Sequence, residues 1–437
     1  MKKLLITILI LTLFISISFS EISVKKVLKL ESNINGNKLG EAVKFYEKIV
    51  TTKSFSINVK KENKVQYKVW QKTFGGENDD YGYSVKQTKD EGYIIAGHTW
   101  SFGNGGSDLY VMKLDKNGYT IWEKAYGGKS WDKGNSIYET TDNGFIAVGG
   151  TKSVGSGNVD FYIIKLDKNG NKIWEKAYGG SKNEEAYSVQ QTKDGGYIVA
   201  GLTYSIGSGG KDVYIIKLDR NGNKVWDKTY GGNGWDEAFS IQQTIDGGYI
   251  VAGFSDSFGA GNGDFYIIKL NKNGSKEWEK TFGGKNYDEA YSIQQTKDKG
   301  YIVVGWTESF SKGGSDVYII KLNENGDKVW EKTFGGKNND WGLSIQQTND
   351  SGYIVAGVTE SFGFGGKDVY IIKLNKNGNK AWEKTYGGID RDEALSIWQT
   401  CDGGYIIAGF TLSFGSGGYD VYVIKINEEG NTGPYPQ

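Results

Sequence analysis

Trp174-Glu-Lys-Ala-Tyr-Gly-Gly180, Glu185-Ala-Tyr-Ser-Val-Gln-Gln-Thr192, Asp194-Gly-Gly-Tyr-Ile-Val-Ala-Gly201 and Asp212-Val-Tyr-Ile-Ile-Lys-Leu218 follow one another in the chain and end in the turn Asp219-Arg-Asn-Gly222. Four segments rich in Val, Ile, Tyr and Trp alternate with clusters of Gly, Asn and Asp, the pattern of short antiparallel strands joined by turns. No apolar period near 3.6 runs through the unit, so no helix is predicted in it. Working outward, the same unit recurs on both sides. Trp70, Trp122, Trp174, Trp226, Trp278, Trp330 and Trp382 stand 52 residues apart without a slip. A fixed period of this size marks a repeat architecture, in which each unit stacks on the next to bury its apolar faces. Four strands per unit and seven units predict an all-β fold, a seven-bladed β-propeller of four-stranded antiparallel blades.

The units share the run Gly-Gly, Asp, Ser, Gln-Thr, Asp-Gly-Gly-Tyr-Ile-Val-Ala-Gly and Tyr-Ile-Ile-Lys-Leu, which resembles bacterial secreted β-propeller repeat proteins. The turn Leu218-Asp-Arg-Asn-Gly-Asn-Lys-Val-Trp226 is similar to the tryptophan-docking turn of quinoprotein-type propellers. The resemblance covers residues 65–431 and concerns fold. It brings no catalytic motif with it, and the rest of the quinone-binding pattern is missing, so no cofactor is inferred. It implies that Ala186–Thr192 is the inner strand of its blade, Tyr197–Gly201 the second, Val213–Leu218 the third and Lys224–Tyr230 the outermost. The two ends of the array fit this phase. Val65–Phe74 has no third strand before it, and the position of an eighth Trp is taken by Pro434, which donates nothing to a ladder. Val65–Phe74 is therefore expected to close the ring as the outer strand of the last blade, protecting edges that an open array would expose.

Outside the repeat, Met1-Lys2-Lys3 precedes the apolar run Leu4 to Phe19, with small residues at Ser18 and Ser20. That is the layout of a secretory signal peptide over residues 1–20, and the run is short for a membrane span. A secreted or extracytoplasmic protein follows, with no membrane segment after cleavage and with the cell surface as one place to find it. Residues 21–64 read as a small appendage: Leu39, Ala42, Val43, Tyr46 and Ile49 share one face of a short helix, and Phe55, Ile57 and Val59 alternate like a strand. Residues 432–437 form a tail. Without Lys2 and Lys3, 50 basic residues balance 52 acidic ones, which leaves no electrostatic footprint for nucleic acid. Cys401 is the one cysteine, so stability rests on packing rather than on disulfides, and His98 is the one histidine.

Most polar motifs recur too regularly to be one asymmetric site. Asp108, Asp160, Asp212, Asp264, Asp316, Asp368 and Asp420 form one register, and Asp80, Asp132, Glu184, Asp236, Asp288, Asp340 and Asp392 another; both suit the capping of backbone amides in turns. Turns such as Asp115-Lys-Asn-Gly118 lack the further acids of a calcium loop, and in four blades Asn271, Asn323, Asn375 and Asn427 replace the Asp. They read as hairpin turns, and no metal site is inferred. The glycine-rich loops lead into strands, not helix N-termini, so they are no phosphate cradle.

The departures from the repeat concentrate elsewhere. The loops from outer to next inner strand and from second to third strand are long and variable, and propeller topology places both on one face. On that face fall Trp131, Trp235 and Tyr287 at one register, Trp341 one place later, Trp100 at the start of the other loop, and His98 and Trp306 near the end of the second strand. These seven are the candidate ligand-binding residues. Aromatic rings beside carboxylates suit a glycan, a cell-envelope polymer or a protein partner, so the leading functional reading is a non-catalytic binding or scaffold propeller. The alternative is a secreted glycoside hydrolase-like enzyme drawing a carboxylate pair from Asp256, Glu308 and Glu360, which share the register of Trp100.

Overall fold

The computed structural model describes residues 69–435, and among them every regular element is a β-strand. Seven four-stranded antiparallel sheets follow one another as blades. In the third blade Glu184–Gln191, Tyr197–Thr203, Asp212–Leu218 and Lys224–Tyr230 are hydrogen-bonded in chain order, from inner to outer. The inner strands of all seven blades line one axial channel. Second and third strands are buried along their whole length except at Trp306, because each blade is covered by a neighbour on both faces. This explains why Tyr-Ile-Val-Ala-Gly reads as a continuous apolar run instead of an alternation. The core is accordingly divided into seven clusters between successive blades. One joins Ile198, Ala200, Val213 and Ile215 to Ala238, Tyr249, Val251 and Ile268 of the next blade.

The ring closes as the repeat phase predicts. Asp392–Gln399, Tyr405–Thr411 and Asp420–Ile426 are completed by Trp70–Phe74, in a register running from Trp70 opposite Lys425 to Phe74 opposite Val421. The core continues across this seam, where Ile406, Ala408, Val421 and Val423 meet Val85, Tyr93 and Ile95. Residues 65–68 of the expected closing segment, the signal peptide and the appendage lie outside the described residues.

Each recurring tryptophan belongs to the outer strand of one blade and docks on the next. Trp226 meets Tyr249 edge-on with ring centroids 5.9 Å apart, and Trp70 meets Tyr93 across the seam at the same distance. The ring rests on the glycine of the neighbour's hairpin turn. Gly118 has φ of 76°, and a Cβ there would stand 2.6 Å from the Trp70 ring. Only glycine satisfies both demands, the left-handed torsion and the close approach. The turn carboxylate or amide does the capping expected of it: Asp115 Oδ1 accepts from the amides of Asn117 and Tyr119 at 2.8 and 2.9 Å.

Two polar rings bind the blades around the axis. An inner strand has one unpaired edge, and its amides need acceptors. Ser188 Oγ accepts from Ile241 N of the next blade at 3.2 Å, and the pattern repeats seven times until Ser396 Oγ accepts from Val85 N at 3.1 Å. Nearer the short turns, Gln243 Oε1 accepts from Lys193 N at 2.9 Å, and this ring also crosses the seam, where Gln87 Oε1 accepts from Cys401 N at 2.7 Å. The exposed Cys401 thus occupies an ordinary turn position.

The structure extends two sequence readings. Inner strands begin two residues before Ala186, at the recurring acid Glu184, and third strands begin at the recurring Asp, because both carboxylates fasten the loop that feeds the strand. Asp80 Oδ2, for instance, accepts from Gly76 N at 2.8 Å and from Ser101 Oγ at 2.7 Å. The tail after Asn431 is not loose in its described part. Tyr435 stacks on Phe414 at 4.3 Å and bonds Thr73 Oγ1 at 2.7 Å, while Gly433 O accepts from Gln71 Nε2 at 2.8 Å, so the tail latches onto the closing strand.

Candidate functional site

The two variable registers come together within each blade on the long-loop face. Trp100 N donates to Asp79 O, Asp256 N to Trp235 O, Glu308 N to Tyr287 O, and Glu360 N to Asn339 O, at 2.8 to 3.0 Å. Loop residues also form parallel bridges between blades, such as Lys211 with Trp235 and Gly263 with Tyr287. Among the candidate rings, Trp100, Trp235 and Tyr287 are exposed, Trp131, Trp306 and Trp341 half-buried, and His98 buried. They are spread around the face, and lysines cover several of them. Lys211 Nζ lies 4.6 Å from the Trp235 ring centroid and Lys367 Nζ 3.9 Å from that of Trp341, whose Nε1 donates to Ser315 Oγ at 2.6 Å. Trp131 lies beneath Lys152 at 5.9 Å, and Tyr287 stacks on Phe254 at 6.5 Å.

His98 and Trp100 are brought together in a pocket of about 410 Å³ between the first and last blades, with Tyr81, Tyr83, Arg391, Glu393, Phe410 and Tyr419. The His98 ring packs against both Tyr81 and Tyr83, at 4.7 and 5.4 Å, and those two rings are 6.2 Å from each other. Burial, helped by the charge of Lys133, lowers its pKa to about 3, so the imidazole is neutral at ordinary pH. Tyr81 is likewise held as a phenol, pushed up to about 12 by burial and by Asp79. Arg391 donates to Glu393 at 2.5 Å and lies over the Phe410 ring at 5.5 Å. The pocket therefore offers aromatic faces beside one fixed ion pair and no nucleophile primed for attack.

A further set of residues was not singled out by sequence reasoning. One place after each recurring inner-strand acid stand Tyr81, Lys133, Glu185, Glu237, Glu289, Trp341 and Glu393. Lys133 pairs with Glu185 at 3.2 Å and Lys211 with Glu237 at 2.6 Å. Glu289 has no such partner among the described residues. Burial and the neighbouring Glu237 raise its carboxyl to about 7. Beside this register the inner strand bulges, and of the bulge residues Phe239 stacks on Tyr291 at 4.9 Å and meets Tyr187 at 5.2 Å with the rings tilted by 54°. The signal in the sequence was the swing from Glu to Lys, Tyr and Trp at one fixed register; its nearness to the framework acid hid it.

The carboxylates of the hydrolase alternative lie in three successive blades. Asp256 accepts from Trp235 N, and Glu360 accepts from Asn339 Nδ2 at 3.0 Å and pairs with Lys367 at 3.4 Å. These two are held by their own loops. No helix among the described residues is long and apolar enough to cross a membrane, and no group of three or more metal-ligating side chains forms among them.

Residues 107–342 match the family model described as outer membrane protein assembly factor BamB. A curated relative, the regulatory protein FlaEY of Caulobacter vibrioides, is 25% identical over 144 residues, which cover 28% of this chain and 15% of that protein. Solved structures of similar shape include the Pan2 WD40 domain of Neurospora crassa, 11% identical with a TM-score of 0.48 and covering 79% of this chain and 88% of that one. Another is the GH93 α-L-arabinofuranosidase of Fusarium graminearum, 12% identical with a TM-score of 0.45, covering 66% and 91%. These likenesses carry no ligand or activity over to this chain.

Proposed function

The chain belongs to the family described as outer membrane protein assembly factor BamB, and from that membership we propose that it is a non-catalytic, extracytoplasmic binding propeller that holds a protein partner on its long-loop face. The observation that carries this reading is the pocket between the first and last blades. Trp100 is 48% exposed at its rim while His98, Tyr81 and Phe410 form its walls, and Arg391 with Glu393 supplies a polar anchor. Aromatic and arginine side chains around a concavity are the usual anchors of a protein interface. The lysine–glutamate pairs between neighbouring blades extend the surface with alternating charge, which suits an extended peptide better than an uncharged polymer. Export rests on the basic and apolar stretch of residues 1–20, and a cell-envelope partner on the family's description.

Residues 21–437 should bind members of a panel of extended peptides in preference to cell-envelope polysaccharides. Trp100→Ala with Arg391→Ala should weaken that binding about tenfold or more without changing the melting temperature by more than a few degrees. Binding that survives both substitutions removes the pocket from the reading; preference for the polysaccharides moves it to the glycan-binding form.

One observation favours a second reading. Glu289, raised to about 7 beside the lysine-paired Glu237, has the protonation behaviour of a general acid next to a second carboxyl group. A glycan-cleaving propeller would use these two in place of Asp256, Glu308 and Glu360. Release of reducing sugar from a polysaccharide panel, abolished by Glu289→Gln, is its test.

A further inference from the structure

The axial channel is seven-fold in its polar lining except at one register. Two residues beyond the ring of serines, toward the short turns, four blades carry Gln190, Gln242, Gln294 and Gln346. Each Oε1 accepts from an inner-strand amide of the next blade, Gln243, Gln295, Gln347 and Gln399 in turn, at 2.6 Å every time. The other three blades are consecutive across the seam and carry Trp398, Lys86 and Tyr138. Among the described residues none of these side chains supplies the acceptor, so there the amides of Gln87, Glu139 and Gln191, at the same register, lack the bond that their four counterparts make. Lys86 Nζ lies 4.2 Å from the Trp398 ring centroid and 5.5 Å from that of Tyr138.

Lys86 differs from the chain's other half-hidden lysines. The buried third-strand lysines, Lys217 and Lys269 among them, each hold a turn aspartate at 2.8 to 3.0 Å. No carboxylate pairs with Lys86 among the described residues. Burial lowers its ammonium to about 8, which leaves it mostly charged at neutral pH. Lys86, with no carboxylate partner among the described residues, stands on the wall of a cavity of about 290 Å³ with Tyr138 and Trp398, and a buried cation and amides that lack the repeat's glutamine acceptor are each unfavourable for the empty protein. An anion relieves both at once.

We propose that this three-blade gap binds a small oxyanion, a molecule bearing a carboxylate or a phosphate. Its charge rests on Lys86, and its oxygens stand at the register where the repeat elsewhere places a glutamine oxygen. The rings of Trp398 and Tyr138 wall the site and leave room for a flat ligand body beside the charge. The site lies toward the short-turn end of the channel, away from the long-loop pocket, so it stands or falls independently of the protein-binding reading.

The test uses the whole secreted chain, with sodium benzoate and sodium phosphate as separate probes and sodium chloride as the ionic-strength control. Calorimetry should give saturable binding to one or both probes, and the backbone amide resonances of Gln87, Glu139 and Gln191 should move while those of Gln243 and Gln295 stay. Benzoate alone assigns a carboxylate ligand, phosphate alone a phosphate one. Lys86→Gln restores the residue of the repeat, and it should weaken binding about tenfold or more while keeping or raising the melting temperature, because it returns the missing acceptor to Glu139. Trp398→Gln, which returns the acceptor to Gln87, serves the same purpose should Lys86→Gln fail to fold. No amide movement with either probe up to about 10 mM overturns the proposal, as does undiminished affinity in the glutamine variant.

Discussion

Replacing Trp70 by alanine tests whether the amino-terminal strand is a structural member of the ring. Trp70 is half-buried, meets Tyr93 at 5.9 Å and rests on the turn at Gly118. A fully buried aromatic side chain hides about 150 to 250 Å², so half of that, about 100 Å² at about 25 cal/mol per Å², is worth about 2.5 kcal/mol. The edge-on pair adds about 0.5 to 1 kcal/mol. Trp226 has the same partners in the middle of the ring, Tyr249 at 5.9 Å and the turn at Gly274. In a closed ring the two interfaces are equivalent, and Trp70→Ala and Trp226→Ala should each cost about 3 kcal/mol and agree within about 1 kcal/mol. Urea unfolding followed by far-ultraviolet circular dichroism measures both, with unchanged slopes confirming that the change lies in stability. A Trp70→Ala protein as stable as the parent, beside a weakened Trp226→Ala protein, would mean that the strand does not close the ring and that the reasoning from register is wrong.

Other consequences can be checked in the same way. Ser396→Ala removes the acceptor of Val85 N at 3.1 Å and should cost about 1 kcal/mol, with faster hydrogen exchange at Val85 than at the other axial amides. Truncation after Asn431 removes the Tyr435 stack and its bond to Thr73, and should cost about 1 to 2 kcal/mol, less than deletion of residues 65–76; equal melting temperatures for the two deletions would contradict closure. The pH profile of stability follows from two opposed sets of carboxylates. Burial pushes up the carboxyls of Asp142, Asp194, Asp246 and Asp350, but hydrogen bonds from a threonine, a lysine and a glycine amide outweigh it and bring them to about 2. Their stabilising contribution is complete above the unfolded value near 4 and is lost as pH falls toward about 2. Asp420 is raised to about 6 by burial and by Asp80, so the folded state takes up its proton first and gains stability as pH falls from about 6 to about 4. Glu289, raised to about 7, adds to this gain, and His98, lowered to about 3, opposes it from about pH 6.5 downward, so thermal melts should peak between about pH 4 and 5, whereas a steady decline from pH 7 downward would show that Asp420 and Glu289 do not hold their protons against the neutral His98.

Nearly all of the fold was legible because each unit states it seven times. The 52-residue spacing of the tryptophans, the Tyr-Ile-Val-Ala-Gly run and the Asn-Gly turns each have one local physical reading, and Pro434 marks where the array ends. The tail's latch was not legible, since Tyr435 finds Phe414 and Thr73 only once the seam is formed. The candidate site was harder for a related reason. Loop aromatics such as Trp100 and Trp235 stand out as departures, but the importance of Glu289 or Lys86 depends on what the adjacent blade provides. Glu289 looks like Glu237 and Glu185 in sequence, and it differs only because no lysine reaches it. Lys86 looks like a surface charge until Trp398, more than three hundred residues away, is placed beside it. A single sequence specifies strand order well and the pairing of side chains across distant strands poorly.

The closing strand also sets a schedule for synthesis. Gln71 meets Gly433 across 362 positions of chain, so the first of the described strands has no partner until the last blade emerges, tens of seconds later at about 5 to 20 residues per second. During that wait its sequence, Trp-Gln-Lys-Thr-Phe, is nearly identical to outer strands such as Trp-Glu-Lys-Thr-Phe at 278–282 and 330–334. Every third strand in the ring is thus a near-isoenergetic docking place for it. What keeps it out is the tether: each native outer strand is joined to its third strand by a turn of a few residues, and its high local concentration excludes the wanderer. Only Asp420–Ile426 lacks a tethered mate. The molecule selects its correct closure by leaving a single vacancy, and a second chain offering the same strand would compete for it, which makes strand exchange between copies the characteristic misassembly of this ring.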